Sequence, residues 1–116
     1  MKVEDFGAHI KANDLFDLVV EDIEALKAKP ECYRLIGQQV ASVDSIAANI
    51  EEGFGRGSKR EYAQFLIIAR GSTQETIGRY GRMKHWLDKS TIDDRQKLCD
   101  EIIGILTATI HTLKSK

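Results

Sequence analysis

The chain has one proline, two cysteines and one tryptophan in 116 residues, and each scarcity narrows the reading. Pro30, the lone proline, can end one helix and open the next, where its missing N–H costs nothing. Cys32 and Cys99 lie far apart and form no C-x-x-C pair, which favours a structural role over a disulfide or a metal ligand. Buried, reduced thiols and a cytoplasmic location are the expectation. No apolar run approaches the roughly 20 residues of a membrane span, so no membrane is expected as a partner. Residues 1–14 mix charges with isolated apolar side chains, unlike a signal peptide. The alternation of a β-strand, low-complexity tracts and internal repeats are all missing.

What the chain does have is helical periodicity. Hydrophobic content of 42% and charged content of 30% are ordinary for one globular domain, here residues 1–116. Apolar residues recur at helical spacing from Ile10 to Leu26. In the next segment Tyr33, Ile36, Val40, Val43, Ala47, Ile50 and Phe54 alternate three and four apart, the stripe of a left-handed bundle. Leu35 and Ile46 lie off that stripe and call for a second neighbour. A third segment repeats the period through Tyr62, Leu66, Ala69, Thr73, Thr76, Tyr80, Met83 and Leu87. A fourth carries Ile92, Cys99, Ile102, Leu106, Thr109 and Leu113, with further apolar residues on other faces. Helices are predicted over about 9–28, 31–53, 58–87 and 92–114, after a loose arm at 1–8. The expected fold is all-α, an antiparallel up-and-down four-helix bundle with left-handed heptad-type packing. A fourth helix apolar over so much of its girth implies self-association.

Between the second and third segments Gly53, Gly55 and Gly57 fall within five residues. Each glycine costs about 1 kcal/mol inside a helix, so a turn is predicted there. Ser58 with Glu61 three residues on reads as a capping box. Gly71, Gly78 and Gly81 interrupt the third helix and signal a close neighbour or a bend. Asp5 or Asn13 is the expected cap of the first helix. Ser90 or Thr91 caps the fourth, with Asp93 and Asp94 in its first turn.

Charge is divided unevenly. Residues 1–52 hold 5 basic and 11 acidic side chains, and residues 53–89 hold 8 and 3. An acidic first helix can therefore pair with a basic third one, within the subunit or between subunits, or the basic segment can meet RNA. A pI near 6.3 weighs against a dedicated nucleic-acid binder. A di-iron site needs Glu-x-x-His pairs, and no histidine here has a glutamate three residues before it. No nucleophile, base and orienting group can be assembled, so neither enzyme activity nor cofactor nor metal is expected. One anion-binding constellation remains, at the start of the third helix, where free backbone amides meet Arg56, Ser58, Lys59 and Arg60. Arg79, Arg82, Lys84 and His85 form a second basic group near the other end. Beside it Tyr80 and Trp86 are both able to stack bases; Tyr80 lies on the apolar stripe and reads as core, which leaves Trp86 open between core and stacking.

Gln38, Ser45-Ile46, Asn49-Ile50, Glu52-Gly53, Gly55-Arg56, Phe65-Leu66, Ala69, Gly71-Ser72 and Glu75 together resemble the motifs of the 23S rRNA intervening-sequence protein family, over about residues 30–87. The resemblance implies a homo-oligomeric bundle, usually a ring of five, of uncharacterised activity. A related branch binds reverse transcriptase and RNA through a basic surface. The chain departs from the pattern where two arginines commonly precede the Ser-Ile pair and Val40 and Ala41 stand instead. Asp44 replaces a hydrophobic residue, and Glu51 replaces an alanine. Asn49 is expected to hydrogen-bond a helix end or turn.

The sequence thus predicts a non-enzymatic, self-associating scaffold that binds RNA or a ribonucleoprotein through Arg56, Ser58, Lys59, Arg60, Arg79 and Arg82. The alternative is a protein-binding adaptor recruited through the acidic first helix, without nucleic acid.

Overall fold

The computed structural model describes residues 1–115. It is all-α, with no strand among those residues. Its four helices are α1 (Gly7–Ile23), α2 (Tyr33–Phe54), α3 (Lys59–Arg82) and α4 (Lys89–Lys114). Each packs on the helices before and after it in the chain, and α1 also packs on α4. The diagonal pairs have no backbone approach, so the helices occupy the corners of a rod 48 × 21 × 20 Å.

The ends differ from the sequence reading for local reasons. The arm at 1–8 is not loose: Val3–Asp5 forms a 3-10 turn closed by the Lys2 amide donating to the Asp5 carboxylate at 3.2 Å. Helix α1 then starts at Gly7, so neither Asp5 nor Asn13 caps it, and Asn13 bonds back to the His9 carbonyl at 3.1 Å. Its end comes at Ile23 rather than 28, where the backbone tightens into turns that bond three residues back, from Glu24 to Glu21 and from Ala25 to Asp22, and Lys29 before Pro30 is extended. Helix α3 stops at Arg82 and tightens into a 3-10 turn, Met83–His85. Helix α4 begins at Lys89, a turn earlier than expected, with extended Asp88 at the cap position in place of Ser90 or Thr91. Asp93 therefore sits one turn in, where it accepts from Lys89 at 2.6 Å, while Asp94 accepts from Arg95.

The core is filled by Leu15, Val19, Val43, Ile46, Ile50, Leu66, Ile102 and Leu106. The α3 stripe from Leu66 to Met83 faces it along its length. On α2 the buried positions are Gln39, Ser42, Val43, Ile46, Ala47, Ile50 and Gly53, so the inward face takes in Val43, Ala47 and Ile50 of the apolar stripe and widens to one side of it. Ile46 needs no second partner, and Tyr33 is 59% exposed. Both cysteines are free and buried. Burial pushes the Cys99 thiol up to about 12.

The raised thiol pKa gives a pH prediction. The folded state holds the Cys99 proton where the unfolded chain has lost it, so this stability is complete below about pH 9 and is lost as pH climbs toward the folded value. Each unit in that window removes up to about 1.4 kcal/mol. Melting temperatures from pH 8 to 11 should fall more steeply for the natural protein than for Cys99→Ala.

Candidate anion-binding site

The expected anion site divides into two places that a single helix keeps apart. From Arg60 to Arg82, α3 spans roughly 33 Å at 1.5 Å per residue. The two basic groups therefore form no continuous surface.

At the α2–α3 turn the glycines do different work. None of the chain's glycines has a positive φ. Gly53 belongs to helix α2 and is buried, where a Cβ would lie 2.8 Å from the Cβ of Phe65 and 3.3 Å from the Tyr62 carbonyl. It is a point of close helix approach, and the turn itself is left to Gly55 and Gly57. The Phe54 and Tyr62 rings meet edge to face at 5.9 Å across it. Ser58 caps α3 by accepting the Glu61 amide at 3.2 Å, and its hydroxyl donates to the Glu61 carboxylate. Glu61 thus holds the Ser58 side chain, where a capping box would hold the backbone amide.

Arg56 is committed to the same turn. Its guanidinium donates to Glu52 at 2.8 Å, lies 4.0 Å from Glu61 and stacks 4.9 Å over the Phe65 ring. Both Ser58 and Arg56 are therefore engaged in holding the turn. Lys59 and Arg60 remain exposed. They line an open cleft of about 520 Å³ with Ala63, Gln64, Leu113 and Lys114, which brings in a third cation from the end of α4. None of these three cations is in an ion pair among the described residues. Lys114 lay outside the sequence reading because nothing local signals that the end of α4 returns to the start of α3.

The second place is the groove between α2 and α3. Arg79 is only 9% exposed. Its Nη1 donates to the Gln38 carbonyl at 3.3 Å, to Gln39 Oε1 at 2.8 Å and to Ser42 Oγ at 2.9 Å. Its buried Nε has no partner. Burial lowers the guanidinium pKa, Glu75 opposes that, and Arg82 adds to it. Gln39 also donates to the Thr76 carbonyl, and the Ser42 and Thr76 hydroxyls lie 2.9 Å apart. One turn on, Ser72 donates to Ser45 at 2.9 Å. A polar seam thus joins the two helices beneath an open groove of about 330 Å³, which Glu75 also lines. Asn49 bonds the Ser45 carbonyl and hydroxyl within its own helix, correcting the expected bond to a helix end or turn. Arg82, Gly71 and Gly78 border the groove's outer side.

The chain matches the family described as 23S rRNA-intervening sequence protein over residues 4–108. The chain belongs to this family. None of the curated proteins matches it closely enough to carry a further comparison.

In this member, the Glu51 carboxylate accepts from His9 Nε2 at 2.7 Å, tying the start of α1 to the end of α2. Val40 is half-buried, Ala41 is exposed on the groove, and Asp44 is exposed. Trp86 is half-buried, meets His85 edge to face at 5.7 Å and lines a cleft with Glu21, Asp22 and Asp88. That acidic wall is a poor neighbour for a nucleic-acid backbone. Tyr80 is wholly buried and donates to Asp22 at 2.7 Å. Among the described residues, no cluster of three His, Cys, Asp or Glu side chains is placed to hold a metal ion. No helix there is long and apolar enough to cross a membrane.

Proposed function

We propose that this protein is a cytoplasmic, non-enzymatic scaffold that self-associates, as a ring of five by the family resemblance, and binds RNA or a ribonucleoprotein through the basic end of α3. The two free cysteines suit a reducing compartment. An antiparallel up-and-down bundle with left-handed heptad-type packing is supported by the cross-helix bonds. Gln39 pairs with Thr76 and Ser45 with Ser72, so positions rise on α2 as they fall on α3. Buried Val43, Ala47 and Ile50 on α2, spaced four and three apart, suit that packing.

The observation that carries the RNA reading is the cleft where Lys59, Arg60 and Lys114 converge with no ion pair among the described residues. Three cations beside the positive end of a 24-residue helix form a phosphate-attracting surface. Apolar Ala63 and Leu113 between them give a sugar or base something to lie against.

Fluorescence anisotropy with a structured RNA, across a salt series, tests this. Three phosphate contacts should give a slope of about 2–3 log units in affinity per log unit of salt. Lys59→Glu/Arg60→Glu/Lys114→Glu should weaken binding at least about tenfold at low salt. Absence of binding at low salt overturns the RNA reading. The protein-adaptor alternative draws on a different feature, the exposed carboxylates of α1, of which Asp14, Asp17 and Glu21 make no ion pair among the described residues.

A further inference from the structure

Helices α1 and α3 stand at opposite corners of the bundle, and each turns a regular stripe outward. On α1 the stripe is Ile10, Asp14, Asp17, Glu21 and Glu24, all exposed and spaced four and three apart. Among the described residues only Glu24 of these has a basic partner, Lys27 at 2.7 Å, and Ile10 is 47% exposed. On α3 the stripe is Gln64, Ile68, Gly71, Glu75, Gly78 and Arg82, with the same spacing. Ile68 is 50% exposed. A Cβ on Gly71 would meet nothing within 4 Å, and one on Gly78 only the tip of Arg82. The middle of this stripe is a shallow trough that admits another helix at close range.

Arg79 lies beside that trough with half of its guanidinium unspent. All of its internal bonds use Nη1, while Nε is buried without a partner. The Nε–Nη2 edge is the side-on fork that grips a carboxylate with two parallel hydrogen bonds. A buried cation without a counter-charge is costly, and supplying one recovers part of that cost. Glu75, the carboxylate on the groove wall, makes no ion pair among the described residues.

The charge imbalance between α1 and α3 cannot be settled inside one subunit, because their outward faces point in opposite directions. We propose that it is settled between copies: the acidic outer stripe of α1 in one copy lies in the α2–α3 groove of the next, with one of its carboxylates on the Arg79 fork and Arg82 at the rim. This rests on the self-association proposed above and names its faces. The two faces differ and lie on opposite sides of the rod, so the contact is head-to-tail and generates a ring where the rotation closes. Glu75 opposes the incoming carboxylate, so Glu75→Gln should tighten the assembly.

Two variants test the faces without touching the core. Asp14→Lys/Asp17→Lys/Glu21→Lys reverses the acid face, and Gly71→Glu plugs the groove with bulk and charge. Gly71 is an exposed helix-interior glycine, so its replacement does not cost fold stability. Sedimentation velocity at tens of micromolar should show an oligomer for the natural chain and a monomer for each variant. Their equimolar mixture should give a dimer, since one intact groove then meets one intact α1. Circular dichroism melts confirm that both variants are folded. Arg79→Lys keeps the charge without the fork and should raise the dissociation constant about tenfold. A monomeric natural chain overturns self-association itself. An oligomer that survives either variant, or monomers that fail to pair on mixing, leaves self-association standing and overturns these faces. An unchanged dissociation constant in Arg79→Lys removes the fork from the contact.

Discussion

Asp22→Ala is expected to destabilise the bundle by about 3–5 kcal/mol, the largest loss of any single truncation outside the apolar core. Asp22 is 8% exposed and receives three hydrogen bonds from two helices. Arg95 of α4 grips it with both ends of the side-on fork, each at 2.9 Å, and the Tyr80 hydroxyl of α3 donates to it at 2.7 Å. Tyr80 crosses the bundle diagonal to do so, so one carboxylate fastens three of the four helices at one level. Removing it leaves a half-buried guanidinium and a buried phenol without their acceptor, and the loss is a large share of a domain's 5–15 kcal/mol. Burial first, and the hydrogen bond to Asp22 next, push the Tyr80 pKa upward, while Arg95's own hydrogen bond to Asp22 leads in raising its pKa.

Two further variants separate the pair from its parts. Tyr80→Phe removes one donor and keeps the ion pair, so about 1 kcal/mol is expected. Asp22→Leu/Arg95→Met replaces both charges by apolar groups and should recover most of the Asp22→Ala loss. Urea unfolding followed by circular dichroism at neutral pH reads all three. If Asp22→Ala costs no more than Tyr80→Phe, the ion pair contributes nothing to stability.

The Asp22 cluster also marks where sequence reasoning reaches its limit. The number of helices was legible because each presents a long apolar period, and α3 is the clearest case, from Leu66 to Met83. On its partner α2 the inward face was legible only in part, since it joins Gln39, Ser42 and Gly53, which an apolar count skips, to Val43, Ala47 and Ile50 of the stripe. Those residues are buried because each finds a polar or close-fitting partner on α3, and such pairing over 34 to 40 positions has no local signature. Asp22 and Arg95 are 73 positions apart, and nothing local signals that they pair. Arg79 was read as a solvent-facing contact because arginine is rarely buried, and the structure draws it beneath the groove. The turn was legible, including the Ser58 cap, because capping chemistry is local. The cleft it helps form was not, as it also needs Lys114 from the far end of the chain.

Gly53→Val is expected to cost about 2–3 kcal/mol, and the glycine's place in the helix says why. Within an exposed helix interior a glycine is a weakness of about 1 kcal/mol relative to alanine. Gly37 fits that case: it is exposed in α2, and a Cβ there would meet nothing within 4 Å. Gly37→Ala should therefore stabilise the bundle by about 0.5–1 kcal/mol. Gly53 lies in the same helix, but its Cβ would be driven against the Phe65 Cβ at 2.8 Å and the Tyr62 main chain. Neither neighbour is the loose end of a long side chain, so α2 and α3 must move apart to admit even one methyl. Phe65 supports the Arg56 stack, and Tyr62 packs on Phe54, so the displacement reaches the whole turn. Thermal and urea unfolding of the two variants should thus shift in opposite directions. A Gly53→Val protein as stable as the natural one would show that α2 and α3 are not held at this distance, and would remove the steric reason for glycine at this motif position.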